Sequence, residues 1–206
     1  MKVKICGLRT EEAVLAAEDA GADFLGFIFY EKSHRHVLPE EVRGLTKHVQ
    51  RAKTVGVFVD APLDEVNAAA DFCSLDFVQL HGHESAAYAR AVCRPVIKAF
   101  RWGDDFSAEE ANDYPAEIIL LDSFSKDAVG GTGQRFRWRE AAEETARLEK
   151  PLLVAGGIAS GNVRKAEEVF RPYGVDVSGS LEIEKQKSIE RIREFMAVVQ
   201  KRRIPE

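Results

Sequence analysis

The sequence of 206 residues lacks the features that mark several common classes of protein. No apolar run approaches the roughly 18 residues that a membrane span requires, and the N-terminal residues show no long apolar stretch of a signal peptide. We therefore expect a cytoplasmic protein without a membrane partner. Lysine and arginine are scattered along the chain and the net charge is −5, so no surface for binding nucleic acid is predicted.

Cysteine is scarce as well, since the chain has only three, Cys6, Cys73 and Cys93. Their number is odd and no two form a CxxC pair, which argues against both a disulfide framework and a cysteine zinc site. Linkers rich in proline or serine are also missing, so residues 1–206 are expected to form one domain. A hydrophobic fraction of 45% is sufficient for a sizeable core.

What the sequence does contain is a regular alternation of short apolar strands and segments of helical period. The predicted strands are 3–6, 24–29, 54–59, 77–80, 96–100, 118–121, 152–155 and 175–177. The predicted helices are 10–20, 39–49, 63–72, 84–92, 108–113, 138–148, 162–170 and 187–199. Continuous apolar strands are typical of a parallel sheet covered on both faces, and eight strand–helix units favour a (βα)8 TIM barrel of the α/β class. A doubly wound open sheet is the alternative, but Gly7-Leu8-Arg9-Thr10 after the first strand does not match the GxGxxG pattern.

Two polar side chains stand where apolar strands end. Cys6 stands at the end of the first strand and Asp122 at the end of the sixth, and the carboxyl ends of barrel strands form the functional rim of the fold. A thiolate at position 6 can accept a proton from carbon, and a partly desolvated carboxyl group at position 122 can donate one. The alternatives are a small buried apolar residue for Cys6 and a loop-stabilising carboxylate for Asp122. Cys73 and Cys93, at helix ends, are interpreted as structural.

Three turns that carry glycine follow the last strands. They are Gly130-Gly131-Thr132-Gly133, Gly156-Gly157 and Ser178-Gly179-Ser180. Backbone N–H groups at strand-to-helix turns bind phosphate, and the seventh and eighth loops are where barrels usually place it. Tight turning alone explains any one of these glycines. The occurrence of three such turns in neighbouring loops favours a phosphate site.

Other polar residues after strands two and four are candidates for binding a substrate. Arg35 predicts a carboxylate site, because guanidinium recognises carboxylates in a bidentate fork, although an isolated surface arginine is the alternative. Gln79 and His81 are predicted to contact substrate. His81 and His83 alternate along the chain as a metal pair would, but no third ligand stands beside them, so no metal site is predicted.

The sequence resembles the phosphoribosylanthranilate isomerase family of tryptophan biosynthesis over nearly its whole length. The matching motifs are Lys4-Ile5-Cys6-Gly7, Gly26-Phe27-Ile28-Phe29 with Ser33 and Arg35, Val55-Gly56-Val57-Phe58-Val59, Val78-Gln79-Leu80-His81-Gly82, Leu121-Asp122, Gly130-Gly131-Thr132-Gly133 with Phe136, Ala155-Gly156-Gly157 with Asn162-Val163, and Gly174-Val175-Asp176-Val177-Ser178. So many motifs in order make a chance match improbable.

The resemblance implies a βα barrel that isomerises N-(5-phosphoribosyl)anthranilate to 1-(o-carboxyphenylamino)-1-deoxyribulose 5-phosphate by an Amadori rearrangement, without metal or organic cofactor. The family's general base falls on Cys6 and its general acid on Asp122. Arg35 would hold the anthranilate carboxylate, and the three glycine-bearing turns would hold the phosphate. The expected partner is this small phosphosugar, and the chain is expected to be a monomer or a homodimer.

Two alternatives remain beside that expectation. One is a related isomerase of the histidine-pathway aminoaldose, which uses a pair of aspartates, so that Cys6 argues against it. The other is a non-catalytic phosphosugar-binding barrel.

The sequence departs from the family's pattern at two places. The family usually has Ser-Ser-Gly-Val-Glu and then Pro-Gly before its last helix, whereas here Ser178-Gly179-Ser180-Leu181-Glu182 continues without Pro-Gly. Arg137 stands where the family has aspartate, and neither change falls on Cys6 or Asp122.

Overall fold

The computed structural model describes residues 1–103, 106–122 and 133–201, and for residues 133–137 it describes the backbone alone. Eight parallel strands close into a barrel in chain order, and the last strand pairs with the first. The strands are Lys2–Cys6 (β1), Phe24–Ile28 (β2), Lys53–Phe58 (β3), Phe77–Leu80 (β4), Val96–Arg101 (β5), Ile118–Asp122 (β6), Leu152–Ala155 (β7) and Gly174–Val177 (β8). The prediction of a single-domain (βα)8 barrel is confirmed.

A helix follows each strand and packs on the outside of the barrel. The helices are Glu11–Asp19 (α1), Pro39–Leu45 (α2), Leu63–Phe72 (α3), Ala86–Ala91 (α4), Ala108–Asp113 (α5), Gly133–Thr145 (α6), Val163–Phe170 (α7) and Ile189–Gln200 (α8). Thr10 caps the N-terminus of α1, since its side chain accepts a hydrogen bond from the Ala13 N–H at 3.3 Å. No helix in the described part of the chain has the length and apolar character needed to cross a bilayer.

Several helix boundaries differ from the prediction. Helices α4 and α8 begin two residues late, because Ser85 and Ser188 cap them by accepting backbone N–H groups. Helix α2 ends at Leu45, and a short 3-10 turn occupies Thr46–His48. Helix α6 begins at Gly133 rather than at residue 138. These shifts leave the order of the elements unchanged.

The barrel strands are apolar on both faces, as parallel strands covered by helices must be. The outward residues pack against the helices in the larger core cluster. The inward residues form a second cluster that fills the amino-terminal and central parts of the barrel: Phe24, Val55, Ile97, Ala99, Ile118, Leu120, Leu153 and Ala155. Several inward positions near the carboxyl ends of the strands carry polar side chains, among them Cys6, Gln79, Asp122 and Asp176, and this change in chemistry positions the site.

One element was not predicted from the sequence. The chain after β8 makes a 3-10 turn at Gly179–Leu181 and then a two-stranded antiparallel hairpin, Glu182–Ile183 (β9) with Gln186–Lys187 (β10). Its two turn residues, Glu184 and Lys185, have φ values of 50° and 64°. Left-handed backbone at both positions is the conformation of a tight two-residue hairpin turn, which this chain builds without glycine.

Candidate active site

A cavity of about 590 Å³ opens at the carboxyl ends of the barrel strands. It brings together most of the residues singled out from the sequence: Cys6, Arg35, Gln79, His81, Asp122, Gly156, Gly157, Ser178, Gly179 and Ser180. The first residue comes from β1, the aspartate from β6 and the serines from the chain after β8. Gly130, Gly131 and Thr132 lie outside the described residues.

Cys6 is the last residue of β1 and is 5% exposed. Its neighbour across the β1–β2 pairing is Gly26. A Cβ at position 26 would lie 2.9 Å from the Cys6 sulfur and 3.0 Å from the Lys4 Nζ, so only glycine leaves room for both groups. Burial raises the pKa of the Cys6 thiol, and the ammonium group of Lys4 acts against that rise.

Lys4 is fully buried inside the barrel, two residues before Cys6 on the same strand face. Its ammonium group donates a hydrogen bond to Asp176 Oδ1 at 2.8 Å. Burial works to lower the pKa of Lys4, yet the nearby Asp176 carboxylate and Cys6 raise it overall. Lys4 is therefore a buried cation whose counter-ion is Asp176.

Asp122 lies across the cavity, and its side chain is 27% exposed. His81 Nε2 is 3.8 Å from Asp122 Oδ2, and His81 Nδ1 is 2.9 Å from the amide nitrogen of Gln79. Burial lowers the pKa of His81, which favours the neutral ring. With the Gln79 amide as donor, Nδ1 is the acceptor and Nε2 carries the proton that faces Asp122.

The seventh and eighth loops form the remaining wall. Gly156 and Gly157 have φ values of 87° and 70°, a left-handed backbone that glycine adopts without strain. Asn162 fixes this turn, since its amide group donates to Gly157 O at 2.8 Å and accepts from Ala159 N at 2.8 Å. Asn162 is also the residue that precedes α7, but its side chain makes no hydrogen bond that caps the helix.

Both serines of the eighth loop bind backbone carbonyl groups. The Ser180 hydroxyl donates to Ile158 O at 2.6 Å and so ties the eighth loop to the seventh. The Ser178 hydroxyl donates to Cys6 O at 2.9 Å and ties the same loop to β1. These bonds hold the backbone of residues 178–180 against the cavity.

Arg35 reaches the cavity across the turn after β1. Gly7 has a φ of 80°, and a Cβ there would come within 2.4 Å of Arg35 Cδ, so the arginine crosses at a point that only glycine leaves open. Its guanidinium group donates to Glu182, from Nε to Oε1 at 2.5 Å and from Nη2 to Oε2 at 2.9 Å. Arg35 thus meets a carboxylate of its own chain in the bidentate geometry expected for a substrate.

Glu182 on β9 also accepts a hydrogen bond from Lys187 Nζ on β10 at 2.5 Å. Its side chain is 9% exposed, and hydrogen bonds from Arg35 and Lys187 overcome the cost of burial and lower its pKa to about 2. Lys187 is 3% exposed and lies 3.3 Å from the Ser178 hydroxyl. The hairpin therefore brings a second buried ion pair to the wall beside Cys6.

Four of these charged residues were not identified from the sequence: Lys4, Asp176, Glu182 and Lys187. A signal for the first two was available. Lys4 stands between Val3 and Ile5, and Asp176 between Val175 and Val177. Since side chains alternate along a strand, the spacing of two from Lys4 to Cys6 and from Asp176 to Ser178 places each charge on the inward face. Glu182 and Lys187 depend on the hairpin, which has no comparable signal.

The two histidines that were considered as a metal pair, His81 and His83, have different surroundings. Strand β4 ends at Leu80, so strand alternation does not carry the rings of His81 and His83 to the same side. His81 lines the cavity, whereas the His83 side chain is 93% exposed and faces Asp60 at 3.3 Å. Within residues 1–103, 106–122 and 133–201, no group of three His, Cys, Asp or Glu side chains is arranged to hold a metal ion.

A closed parallel barrel with a cavity that carries ionisable side chains at the carboxyl ends of its strands defines the class of (βα)8-barrel enzymes. The family model described as N-(5'-phosphoribosyl)anthranilate (PRA) isomerase matches residues 3–198. The chain belongs to this family and is accordingly an isomerase of tryptophan biosynthesis.

Similar proteins and structures agree with the family model. The N-(5'-phosphoribosyl)anthranilate isomerase of Geobacter sp. (strain M21) is 46% identical over 205 residues, which cover 97% of this chain and 98% of the relative. The solved phosphoribosyl anthranilate isomerase of Thermotoga maritima is 34% identical with a TM-score of 0.86, covering 97% of this chain and 98% of that one. A further isomerase structure, 32% identical with a TM-score of 0.84 and the same coverage, is a complex with reduced 1-(o-carboxyphenylamino)-1-deoxyribulose 5-phosphate.

Proposed function

We propose that this chain converts N-(5'-phosphoribosyl)anthranilate to 1-(o-carboxyphenylamino)-1-deoxyribulose 5-phosphate, with Asp122 as general acid and Cys6 as general base. The observation that carries the proposal is that Cys6 and Asp122, which are 116 residues apart by their numbers (122 − 6), line one cavity. The complex of a related isomerase with the reduced product supports the choice of ligand.

The first step is opening of the sugar ring. Asp122 gives its proton to the furanose oxygen, the C1'–oxygen bond breaks, and the anthranilate nitrogen becomes part of a cationic imine. The side chain of Asp122 is 27% exposed, so solvent can return a proton to it between turnovers. His81 Nε2, at 3.8 Å, faces the carboxylate that this step leaves behind.

The second step is removal of the proton from C2'. The cationic imine makes this proton acidic, and the Cys6 thiolate accepts it to give an enolamine, which tautomerises to the ketone. Because burial raises the pKa of Cys6, the thiolate requires positive charge nearby. The Lys4 ammonium and the imine nitrogen of the opened substrate are suitable sources of that charge.

The two ends of the substrate would be held far from the reacting carbon. The guanidinium of Arg35 has five N–H donors, and Glu182 engages two of them, so the remaining ones can bind the anthranilate carboxylate. Gly156, Gly157 and residues 178–180 would hold the phosphate through backbone N–H groups, together with Gly130, Gly131 and Thr132. Binding energy from both ends then orients C2' at Cys6.

Gln79 offers a further contact to the middle of the substrate. Its side chain is buried in the cavity wall, and its Oε1 atom has no hydrogen-bond partner among the described residues. A buried acceptor without a partner costs free energy. A sugar hydroxyl that donates to this oxygen would remove that cost on binding.

The proposal is tested by following the loss of substrate fluorescence with freshly generated N-(5'-phosphoribosyl)anthranilate. We expect turnover by the wild type and a fall of about 100-fold or more in kcat for both Cys6→Ala and Asp122→Asn, the usual effect of losing a general acid or base. Cys93→Ala, which alters an exposed thiol away from the cavity, is the control and should keep the wild-type rate.

Three results would reject the assignment. Near wild-type turnover by Cys6→Ala or by Asp122→Asn would remove that residue from its role. Turnover of the histidine-pathway aminoaldose in place of the anthranilate substrate would favour the related isomerase. Tight binding of the reduced product without any turnover would identify a non-catalytic barrel.

A further inference from the structure

Cys6 lies beside a buried charge pair of which the base step uses only the ammonium group. Lys4 Nζ and Asp176 Oδ1 are 2.8 Å apart inside the barrel, and the side chains are 0% and 11% exposed. Replacing such a pair by apolar residues often leaves a protein as stable or more stable, so stability alone is a weak reason to keep it. Its position next to the thiol offers another reason.

The ammonium group of Lys4 has two neighbours that can carry negative charge. It donates a hydrogen bond to Asp176 Oδ1 at 2.8 Å, and the Cys6 sulfur lies close by. A Cβ added at Gly26 would lie 2.9 Å from the Cys6 sulfur and 3.0 Å from Lys4 Nζ. The sulfur and the ammonium nitrogen therefore lie next to each other beside β2. Asp176 lies on β8, which pairs with β1 on its other side.

The charges of Lys4 and Asp176 determine how easily the Cys6 sulfur can ionise. Lys4 and Asp176 together carry no net charge, so ionisation of Cys6 in the wild type gives these three groups one net negative charge in a buried place. If Asp176 were neutral, the same ionisation would complete a neutral ammonium–thiolate pair. If Lys4 were neutral, it would add a second buried anion beside Asp176.

We propose that Lys4 and Asp176 are positioning residues that set the charge of the Cys6 sulfur in opposite directions, the ammonium favouring the thiolate and the carboxylate opposing it. The inference rests on the proposed role of Cys6 as the base. Its consequence is that Cys6 is held as a thiol in the empty site and gives its proton to solvent when the cationic imine supplies further positive charge. A resting thiol is also protected from alkylation and oxidation.

Other charged groups face Cys6 from neighbouring elements and belong to the same field. Lys187 on β10 favours the thiolate, and its counter-ion is Glu182 on β9. Arg35 reaches the same wall and is also bonded to Glu182. Asp122 and His81 stand on the other side of the cavity. All of them remain unchanged in the variants below.

The test measures the rate of carbamidomethylation of Cys6 by iodoacetamide as a function of pH in the free enzyme, in a Cys93→Ser background. Mass spectrometry of the Cys6 peptide separates this reaction from that of Cys73, whose pKa burial raises to about 11. Asp176→Asn is expected to lower the midpoint of the pH profile by about one unit or more, and Lys4→Met to raise it. Lys2→Met, on the same strand face but paired with Asp23 and 48% exposed, should leave it unchanged.

Opposite shifts support the proposal, because a merely structural role would not move the two midpoints apart. Unchanged midpoints, or shifts in the same direction, overturn it. If Lys4→Met does not fold, the sign for Asp176→Asn decides alone. No substrate is present, so this result is independent of catalysis, and a Cys6→Ala variant with full turnover would reject the proposed base while leaving the alkylation result intact.

Discussion

The wall of the cavity that carries Cys6 differs from the wall that carries Asp122 in burial and in fixed charge. Cys6 is 5% exposed and stands beside the Lys4–Asp176 pair and the Lys187–Glu182 pair, all four of which have side chains no more than 11% exposed. The Asp122 side chain is 27% exposed, and its neighbour His81 is 25% exposed. One wall is dry and rich in ion pairs, and the other is open to water.

The difference suits the two proton transfers that we propose for Asp122 and Cys6. A carboxylic acid that donates to oxygen must be reprotonated in every turnover, and contact with water allows this. A thiolate that accepts a proton from carbon gains from a dry place with fixed charges, because such charges need no reorganisation during the reaction. The comparison therefore predicts that small structural changes cost more on the Cys6 wall than on the Asp122 wall.

The largest effect is expected from adding one methyl group to the Cys6 wall. Gly26→Ala would place a Cβ 2.9 Å from the sulfur and 3.1 Å from Cys6 Cα, and because the backbone cannot move freely, the sulfur must shift. A misplacement of about 1 Å can cost about 100-fold in rate, so we expect kcat to fall by a factor of that order. Steady-state kinetics measures it.

The control substitution is Gly103→Ala, at an exposed glycine outside the cavity lining, in the loop after β5, the strand that pairs with β6. Nothing lies within 4 Å of the added Cβ there, and we expect kcat within about twofold of wild type. A normal kcat for Gly26→Ala, or equal losses in the two variants, would contradict the distinction between the walls.

A smaller effect, confined to binding, is expected from Arg35→Ala. Loss of a charge-assisted bidentate contact should weaken binding of the reduced carboxyphenylamino product about 10- to 100-fold, measured by calorimetry. The same compound without its carboxyl group is the control ligand, and its affinity should hardly change. If both ligands lose affinity equally, Arg35 acts by holding Glu182 and the hairpin rather than by binding the carboxylate.

The smallest effect on catalysis, and the clearest on stability, is expected from Glu182→Gln. The pKa of Glu182 is lowered from 4.5 to about 2 in the folded protein, so its carboxylate adds stability that is fully present above pH 4.5 and is lost as the pH falls towards 2. The shift corresponds to on the order of 3 kcal/mol at neutral pH. Thermal unfolding of wild type and variant should therefore differ at pH 7 and converge in acid.

Glu184→Gln is the control, because Glu184 is exposed at the turn of the same hairpin. Its unfolding temperature should follow that of the wild type at every pH. A difference for Glu182→Gln that persists unchanged to pH 2 would show that its cause is packing rather than ionisation.

The sequence was sufficient to predict the barrel, since each strand is a short apolar run bounded by a helix of clear period. It also placed Cys6 and Asp122 at strand ends, and therefore on one rim, because all eight strands of a parallel barrel end on the same side. The assignment of chemical roles to them stays a prediction. Helix ends were less accurate, as at α6, where residues 134–137 contain neither proline nor glycine to stop the helix.

The hairpin shows why the other contacts of the site could not be predicted from the sequence. Glu182 and Lys187 are five positions apart in a charged segment, and such a segment is typical of a solvated loop. Their pairing requires left-handed backbone at Glu184 and Lys185. Residues of this type adopt that conformation rarely, and no local sequence pattern predicts it here. The bond from Glu182 to Arg35 spans 147 positions, and only the closed barrel brings these residues together.

The sequence by itself determined which strands form, which of their residues face inward and which of those are polar, because alternation along a strand is a local property. The tertiary structure alone decided which charges become partners. Ion pairing depends on distances of a few ångströms between separate strands and on the loss of water around them. Closure of the barrel sets both, and through them the state of the thiol at Cys6.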